Sequence, residues 1–506
     1  MKKTSVLIVL LFVMSYGQIG RVTTAGWTTT DWQFNGPVYT RCRVVLTEGI
    51  HVCWVGPRYN FFDFTPHTWN WQSGINPATI MSSLGGMDSD PINGVEDICL
   101  SSLNGPYIAK DQMPGIGIFE YCNGPAGYDG GPIGITNNQA IHITMDGYYA
   151  RIQPWCNWTT PIIIITGGYI GYNIAASKTS NKVIILWVSP EVTGQDRAFY
   201  RVSNDNGNTW GTPTQLPFPP SQGFVPSFHS SSLFAMFDNQ DNLHIVASVA
   251  ETSRIIPAEI WHWCPVNPQP WTLIQHYDAE TYAPVGYNAL FATRPSIVQN
   301  PTSGYFYVSW EQFDSLNYEP TTNLARADIW VAELRNNGQT LYAKRRITNP
   351  NTTSKRYPIA GGVFADTFVV NYLIDSIAGF ENYIQGRTTN NPAVCQFIPI
   401  PFPGAEVEEQ PTHNTIRFAL EATPNPFISH TAIHYLLPAE SNVLLSIYDA
   451  TGRLIKILVS DAKPIGEHSI IWNGQDNRGI RVKNGIYFST LTTNGKSITN
   501  KIIKAN

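Results

Sequence analysis

The sequence predicts an all-β chain in which a large domain of repeated β-sheets is followed by a small β-sandwich, and three observations lead to that prediction. Helical periodicity is nearly absent after residue 17, whereas short β-branched or aromatic runs recur behind turn residues. Aromatic residues make up 12% and charged residues only 14% of the chain, a composition that suits pleated, tightly packed surfaces. After Pro403 an acidic, proline-bearing stretch separates two strand-rich regions.

The first residues have the features of a cleaved export signal. Two lysines precede an apolar run from Val6 to Met14, and small residues at Ser15 and Gly17 follow it. We therefore predict a signal peptide at residues 1–17. The apolar run is shorter than the roughly 20 residues that span a bilayer, and we expect no transmembrane segment. The sequence thus predicts a secreted or cell-surface protein.

Composition also limits the partners and cofactors that we expect. The net charge is −5 and no basic tract is present, so binding to nucleic acid has no support. Gly-x-Ser-x-Gly, HExxH and Walker motifs are absent, and the cysteines form no CxxC pair. We therefore expect no cofactor and no zinc site.

The large domain shows a repeat in which a polar turn precedes a strand. The turns are "SKTSNK" before Val183, "FDNQDN" before Leu243 and "NPTSG" before Tyr305. Four-stranded repeats of about 40 to 50 residues are typical of β-propellers. We predict a β-propeller over residues 30–402 with seven blades, and six remains the alternative. The predicted blades are residues 38–75, 76–125, 130–165, 167–218, 222–280, 284–348 and 352–400.

One turn of this repeat has a distinctive chemistry. In "SNDNGNTW" a carboxylate can accept hydrogen bonds from turn amides, a glycine supplies an unusual backbone conformation, and a tryptophan packs against the sheet edge. The pattern resembles the Asp-box, the structural turn of sialidase-like β-propellers. Its residues here are Ser203, Asp205, Gly207, Thr209 and Trp210. In sialidases, three arginines, a tyrosine with its carboxylate base and an acid carry the catalysis.

The sequence does not single out such a catalytic set. The nearest match to the first sialidase arginine is Arg294, in "TRPS", and its surroundings favour an ordinary strand. We therefore predict no catalytic residue, and whether the chain is an enzyme stays open.

Residues 403–415 are predicted to be a linker, and residues 416–506 an antiparallel β-sandwich of about seven strands. This tail resembles the type A C-terminal sorting domain of the type IX secretion system, which itself resembles the immunoglobulin-like (Ig-like) domain of flagellar hook-capping proteins. The motif residues are Pro424, Asn425, Pro426, Tyr448, Asp449, Gly452, Trp472, Gly479, Gly485 and Tyr487. The resemblance implies that secretion machinery is a partner and that the tail acts as an address label.

The sequence alone leaves two further questions open, a disulfide and a calcium site. Cys42 and Cys53 lie almost symmetrically around a Thr-Glu-Gly turn, so they could form a disulfide or remain buried free thiols. In "MDSDPINGVED", Asp88, Asp90 and Asp97 could bind calcium, although the EF-hand pattern fails and a solvated acidic loop explains the same residues.

Taken together, these features predict an exported propeller that acts as a binding or structural module. The funnel of a propeller is its usual ligand site, and a glycan or a protein is the expected ligand. The alternative is a secreted glycoside hydrolase or lyase of sialidase-like fold, which would require two facing carboxylates in the funnel if it hydrolyses its substrate.

Overall fold

The chain divides into two compact units, Met1–Glu409 and Gln410–Asn506, and each is described by itself. The computed structural model describes residues 20–28, 41–46, 48–54, 58–65, 67–72, 74–76, 84–89, 98–102, 105–113, 115–191, 194–221, 223–252, 255–279, 283–285, 289–378, 391–402, 406–407, 419–437, 441–464, 466–493 and 496–505. Strands, turns and irregular segments account for all of these residues, and none of them lies in a helix. The predicted all-β class is therefore confirmed for the part of the chain described.

Unit 1 begins with β1 (Arg21–Thr28), and six sets of four strands follow. Sheet 1 contains β2–β5 (Cys42–Val45, Gly49–Trp54, Arg58–Asp63, Thr68–Trp69), and sheet 2 contains β6–β9 (Leu84–Ser89, Ile98–Ser102, Tyr107–Asp111, Phe119–Asn123). Sheet 3 contains β10–β13 (Ile133–Ile135, Ile141–Met145, Tyr148–Ile152, Ile162–Ile163), and sheet 4 contains β14–β17 (Gly171–Ala176, Val183–Ser189, Arg197–Ser203, Thr214–Gln215). Sheet 5 contains β18–β21 (Pro226–Phe237, Leu243–Glu251, Ala258–Trp263, Trp271–Tyr277), and sheet 6 contains β22–β25 (Ala292–Gln299, Phe306–Tyr318, Ala325–Arg335, Thr340–Arg346). Sheet 7 contains β26 (Ser354–Phe364), β27 (Thr367–Asp375) and β28 (Asn391–Pro399), completed by β1.

These sheets form a closed ring. The first strand of each sheet, called its inner strand below, contacts the inner strands of the sheets before and after it, and β26 contacts β2. Apolar side chains fill the space between neighbouring sheets; one such cluster joins sheets 3 and 4 through Tyr149, Ile174 and Trp187. This is the architecture of a β-propeller. Each of the first six predicted blade ranges contains four consecutive strands of one sheet, and the seventh contains β26–β28.

Sheet 7 closes the ring and changes one predicted boundary. β1 pairs antiparallel with β28, from Arg21 opposite Phe397 to Thr28 opposite Asn391. Placing the start of the propeller at residue 30 was therefore wrong, because the strand before it supplies the fourth strand of the last sheet. Closure by the first strand protects an edge that would otherwise be exposed.

The predicted linker also contains a short paired segment. β29 (Glu406–Val407) adds to the outer edge of sheet 6, with Val407 opposite Ala343 and Glu406 opposite Lys344. The two units divide after Glu409, within the stretch predicted as the linker.

Unit 2 is a sandwich of seven described strands. Three strands form one sheet, and they are β30 (Ala419–Thr423), β31 (Thr431–Leu437) and β34 (Gly466–Trp472). Four form the other, in the order β33 (Leu454–Lys463), β32 (Ser441–Asp449), β35 (Gly485–Thr493), β36 (Lys496–Lys504). Alternate residues of β32 are buried, which is the period-two pattern expected of a strand with one face on a core. The predicted strand number agrees with this sandwich.

Among the described residues, no helix has the length and apolar character needed to cross a membrane.

Candidate functional site

Three consecutive inner strands are interrupted by bulges at their N-terminal halves. The register shifts between Phe228 and Leu233 in β18, between Thr293 and Ser296 in β22, and between Arg356 and Ile359 in β26. Bulges redirect side chains and are common next to active sites. Arg294 and Tyr357 in these bulges have φ values of 53° and 59°. Non-glycine residues rarely adopt this conformation, and it is concentrated at functional sites.

The bulges bring together a set of charged and polar side chains that we call the basic cluster: His229, Arg294, Glu311, Arg356 and Tyr357. Arg294 donates through Nη1 to Glu311 Oε1, while Arg356 donates through Nε to Glu311 Oε2 at 3.1 Å. The backbone N–H of Tyr357 donates to Glu311 Oε2 at 2.8 Å. Both guanidinium groups lie over the Tyr357 ring, at 5.1 and 4.8 Å from its centroid.

The electrostatics of the basic cluster leave an excess of positive charge. Glu311, Arg294 and Arg356 are all almost fully buried. Burial alone would raise the pKa of the Glu311 carboxyl, but the two arginines and their hydrogen bonds outweigh it and hold the pKa below its usual value. One ionised carboxylate therefore faces two guanidinium groups. Burial, reinforced by the charge of Arg294, lowers the pKa of His229 to about 4, so its largely buried imidazole is neutral at pH 7.

The basic cluster lies at one end of the central channel. At the other end, residues from all seven inner strands, mostly from their C-terminal halves, line a cavity of about 280 Å³. Ion pairs at that end join sheets 1, 2 and 4: Asp88 on β6 accepts from Arg43 Nη2 on β2 at 3.0 Å and from Nζ of Lys178, which follows β14, at 2.7 Å. Lys178 also donates to the carbonyls of Ser89 and Ile135. Because every charge in this set has a partner, we assign it to holding the sheets together.

The same contacts occupy both carboxylate oxygens of Asp88, so they do not support it as a calcium ligand. Its Oδ1 accepts from Arg43 and from the Ser89 amide, and its Oδ2 accepts from Lys178 and from the Ile135 amide. Burial raises the pKa of Asp88, but Lys178 and Arg43 more than reverse this, and the pKa is lowered. Asp90 and Asp97 lie outside the described residues. No group of three or more His, Cys, Asp or Glu side chains within the described ranges is placed to hold a metal ion.

The turn that resembles an Asp-box joins β16 to β17 and is closed by its own side chains. Ser203 Oγ accepts from the Gly207 amide at 2.8 Å and donates to Asp205 Oδ1 at 2.8 Å. Asp205 accepts from the amide and the hydroxyl of Thr209, at 2.8 and 2.6 Å. Gly207 has φ of 77°, and a Cβ there would lie 1.7 Å from Tyr149 Oη.

The turn also fastens sheet 4 to sheet 3. Trp210 packs edge-on against Tyr149, with ring centroids 4.8 Å apart. The buried Asn206 side chain accepts from Thr136 Oγ1 at 2.6 Å, contacts His142 Nε2 at 3.2 Å and donates to Gln153 Oε1 at 2.9 Å. Asn206 thus makes the hydrogen bonds between the two sheets, although the Asp-box pattern does not specify the residue at its position.

Sequence reasoning also missed a recurrent buried histidine on the second strand of sheets 1, 3 and 5. His51 and His142 bond through Nδ1 to Tyr59 Oη and Tyr149 Oη, at 2.7 and 2.8 Å, and His244 bonds to His262 at 2.9 Å. The tripeptides "IHV", "IHI" and "LHI" are the signal that could have revealed them. Burial lowers the pKa of His142 and of His262 to about 3, so both are neutral structural groups.

Cys42 and Cys53 do not form a disulfide with each other. Cys42 pairs with Val52, so Cys53 is one residue out of register and faces the other side of the sheet. Both are buried free thiols, the alternative that the sequence left open. The disulfide present joins Cys122 at β9 to Cys156 after β12, and it cross-links sheets 2 and 3.

In unit 2 the motif residues form turns and core. Asp449 accepts from the hydroxyl and the amide of Thr451 and from the Arg453 amide, and these hydrogen bonds lower its pKa to about 2. Trp472 is fully buried, donates to Gln475 O and packs against Tyr487. Asn425, between Pro424 and Pro426, bonds Lys501 O and the Ile503 amide. Gly452, Gly479 and Gly485 have positive φ, and Tyr448 is partly exposed on β32.

Comparison with known proteins identifies unit 2 more closely than unit 1. Residues 429–497 match the family model of the FlgD Ig-like domain, which confirms the predicted likeness to that domain. No curated protein matches the chain. A solved ulvan lyase, titled as a new family of polysaccharide lyase, is 10% identical with a TM-score of 0.45, covering 76% of this chain and 96% of its own.

Two other solved structures show the same distant level of similarity. PorZ from Porphyromonas gingivalis, titled as a surface component of the type-IX secretion system, is 12% identical with a TM-score of 0.21, covering 92% of this chain and 81% of its own. An α-L-arabinanase from Penicillium chrysogenum is 12% identical with a TM-score of 0.37, covering 76% of this chain and 98% of its own. Similarity at this level does not assign a function, so the side chains of this chain must do so.

Proposed function

We propose that the chain is an exported, surface-delivered protein whose propeller has seven blades and binds an anionic glycan at the basic cluster, while its tail is recognised by secretion machinery. The observation that carries the binding proposal is the convergence of Arg294 and Arg356 on the single carboxylate of Glu311, beside His229. The excess guanidinium charge suits a carboxylate or sulfate group, which arginine recognises with two parallel hydrogen bonds.

Binding is favoured over hydrolysis by the carboxylates present. Glycoside hydrolysis generally needs two carboxyl groups across the scissile bond, one of them protonated. The basic cluster contains one carboxyl, Glu311, and the arginines keep it ionised. The basic cluster therefore has the groups to hold an acidic sugar but not the pair of carboxyls that hydrolysis needs.

A lyase is the second candidate, and His229 is the observation that favours it. Its imidazole is neutral at pH 7, so it can accept a proton from a sugar carbon while a neighbouring arginine binds the sugar carboxylate. Incubation with a polyuronate tests this candidate: an unsaturated uronate product, detected by its ultraviolet absorbance, would establish elimination.

Calorimetric titration of the chain from residue 18 tests the binding proposal. The probes are an oligogalacturonate, a sulfated oligosaccharide and a neutral malto-oligosaccharide of equal length. We expect saturable binding of an anionic probe only, weakened by added salt because the interaction is electrostatic. Equal binding of the neutral probe, or binding of none of the three, would refute it.

Variants locate the site. Arg294→Gln removes one guanidinium charge, and His229→Asn replaces a partly exposed side chain that is less buried than Arg294. Both should weaken binding of the anionic probe, and His229→Asn should leave the melting temperature unchanged. Arg197→Gln is the matched control, because Arg197 is a half-exposed arginine of sheet 4 whose loss should leave affinity unaltered.

The delivery proposal is tested separately. Unit 2 has its own core and two sheets, so it can act as a folded signal. Deleting residues 416–506 should retain the propeller in the periplasm of a host with a type IX system, and appending them to an unrelated exported protein should carry that protein to the surface. Surface labelling of the truncated protein would contradict the proposal.

A further inference from the structure

Four half-buried tyrosines and two exposed aspartates lie together at the rim of sheets 3 and 4; we call this set the tyrosine cage. Its members are Tyr128, Asp129, Asp146, Tyr148, Tyr169 and Tyr172. They come from the segment before β10, the turn between β11 and β12, and the segment that leads into β14. In an antiparallel sheet the start of the first strand and the end of the second share one edge. The cage therefore lies at the same end of the inner strands as the basic cluster, but on other sheets.

The rings of the cage form two perpendicular corners. Tyr128 and Tyr148 meet at 72° with centroids 4.9 Å apart, and Tyr169 and Tyr172 meet at 78° with centroids 5.7 Å apart. A tight turn fixes this arrangement: Asp146 and Gly147 have φ of 48° and 84°, and a Cβ on Gly147 would press against the Tyr169 ring at 3.2 Å. Perpendicular aromatic walls of this kind can surround a rounded ligand group from several sides.

Asp146 connects the walls and gives them negative charge. Its Oδ1 accepts from Tyr169 Oη at 2.5 Å, and its backbone N–H donates to Tyr172 Oη at 3.1 Å. Burial first, and then the charges of Asp146 and Asp129, raise the pKa of Tyr172 to about 12. Burial and the same Asp146 raise the pKa of Tyr169 above its usual value. The hydroxyls therefore stay protonated while two carboxylates impose a negative potential on the cage.

No lysine or arginine in the described residues forms an ion pair with Asp129 or Asp146. The negative faces of tyrosine rings attract cations, and the attraction strengthens when the cation loses water. The tyrosine rings and the two carboxylates of the cage therefore both favour a cation, whereas the basic cluster is expected to bind an anion.

We infer that the tyrosine cage binds a quaternary ammonium group. The four rings would contact its methyl groups, and Asp129 and Asp146 would supply the opposing charge. A primary ammonium loses more hydration than a methylated one when it enters an aromatic site, so the methylated cation is the better match. This inference does not depend on the proposed function, because it concerns another set of residues and a ligand of opposite charge.

Titration of the full mature chain with choline tests the inference, and the neutral isostere in which carbon replaces nitrogen is the matched probe. We expect saturable choline binding and about tenfold weaker binding of the isostere, since the two differ only in charge. Equal affinity for the two probes would overturn the inference, as would the absence of choline binding.

Variants assign the binding to the cage. Asp146→Asn keeps an acceptor for Tyr169 but removes a charge, and Asp129→Asn changes an exposed side chain that the fold should tolerate. Each should weaken choline binding about tenfold at an unchanged melting temperature. Asp461→Asn, an exposed carboxylate of unit 2, is the control and should have no effect. Unaltered affinity in both cage variants would place the cation elsewhere and overturn the inference.

Discussion

Replacing Asn206 with glycine should destabilise the propeller unit far more than the same replacement two residues away. Asn206 is 5% exposed and has φ of 61°, a conformation that glycine adopts without strain. The change therefore removes only the side chain, which bonds Thr136 and His142 in sheet 3. Both of these residues are fully buried. Thr136 Oγ1 and His142 Nε2 lie 3.3 Å apart and can bond each other once the Asn206 side chain is gone, so we count one buried polar group without its partner and expect a loss of about 1–3 kcal/mol beyond the backbone cost of glycine.

Asn208→Gly is the matched control for this prediction. Asn208 lies in the same turn, but it is exposed, and its hydrogen bonds to Asp205 O and Arg151 can be replaced by water. Asn208→Gly carries the same backbone entropy cost of introducing glycine as Asn206→Gly, about 0.5–1 kcal/mol. Urea unfolding followed by tryptophan fluorescence reports on unit 1, because 14 of the 15 tryptophans precede residue 410. If both variants lose the same free energy of unfolding, Asn206 does not couple the sheets and the reasoning is refuted.

Three further predictions concern other parts of the chain. Burial lowers the pKa of His142, His229 and His262 in the folded state from 6.5 to about 3 or 4, so the unfolded chain binds more protons below pH 6.5. The free energy of unfolding should therefore fall between pH 6.5 and 4, by about 1.4 kcal/mol per pH unit for each fully buried histidine. A free energy of unfolding that does not change over this range would contradict the prediction. Cys156→Ser removes the Cys122–Cys156 disulfide, which closes a loop with a sequence separation of 34, and should cost unit 1 about 4 kcal/mol in urea unfolding. An unchanged urea midpoint would show that the disulfide does not restrict the unfolded chain. Trp472→Ala should cost unit 2 about 3–5 kcal/mol and make it sensitive to protease. The melting temperature of unit 1, monitored by tryptophan fluorescence, should not change. A shift of that melting temperature would show that the two units are coupled.

The repeated sheets were predictable because their signal is local. Polar turns before apolar strands recur along unit 1, and the predicted ranges contain the strands of every sheet except β1 of sheet 7 and the short added strand β29 of sheet 6. The turn at Ser203–Trp210 was predictable for the same reason, since its acceptor and donor groups lie within eight residues. In unit 2, alternation along β32 and the turn at Asp449 carry the same kind of information.

The basic cluster was not predictable, because its members come from sheets 5, 6 and 7 and meet only when the ring closes. Arg294 looked like an ordinary strand residue, yet the proline after it, like the proline after Tyr357, cannot donate to a strand ladder and marks a bulge. The pairing of Cys42 and Cys53 could not be decided from the sequence for a related reason. A shift of one residue in strand register puts Cys42 and Cys53 on opposite faces, and near-symmetry around a turn does not determine register.

Hydrogen–deuterium exchange of the mature chain with and without an acidic oligosaccharide tests most directly whether the basic cluster is the ligand site. A ligand held by Arg294, Arg356 and His229 should slow exchange in peptides from β18, β22 and β26, whereas β16 and unit 2 should be unaffected. Protection confined to other strands, or no protection at a saturating concentration of the oligosaccharide, would contradict the account.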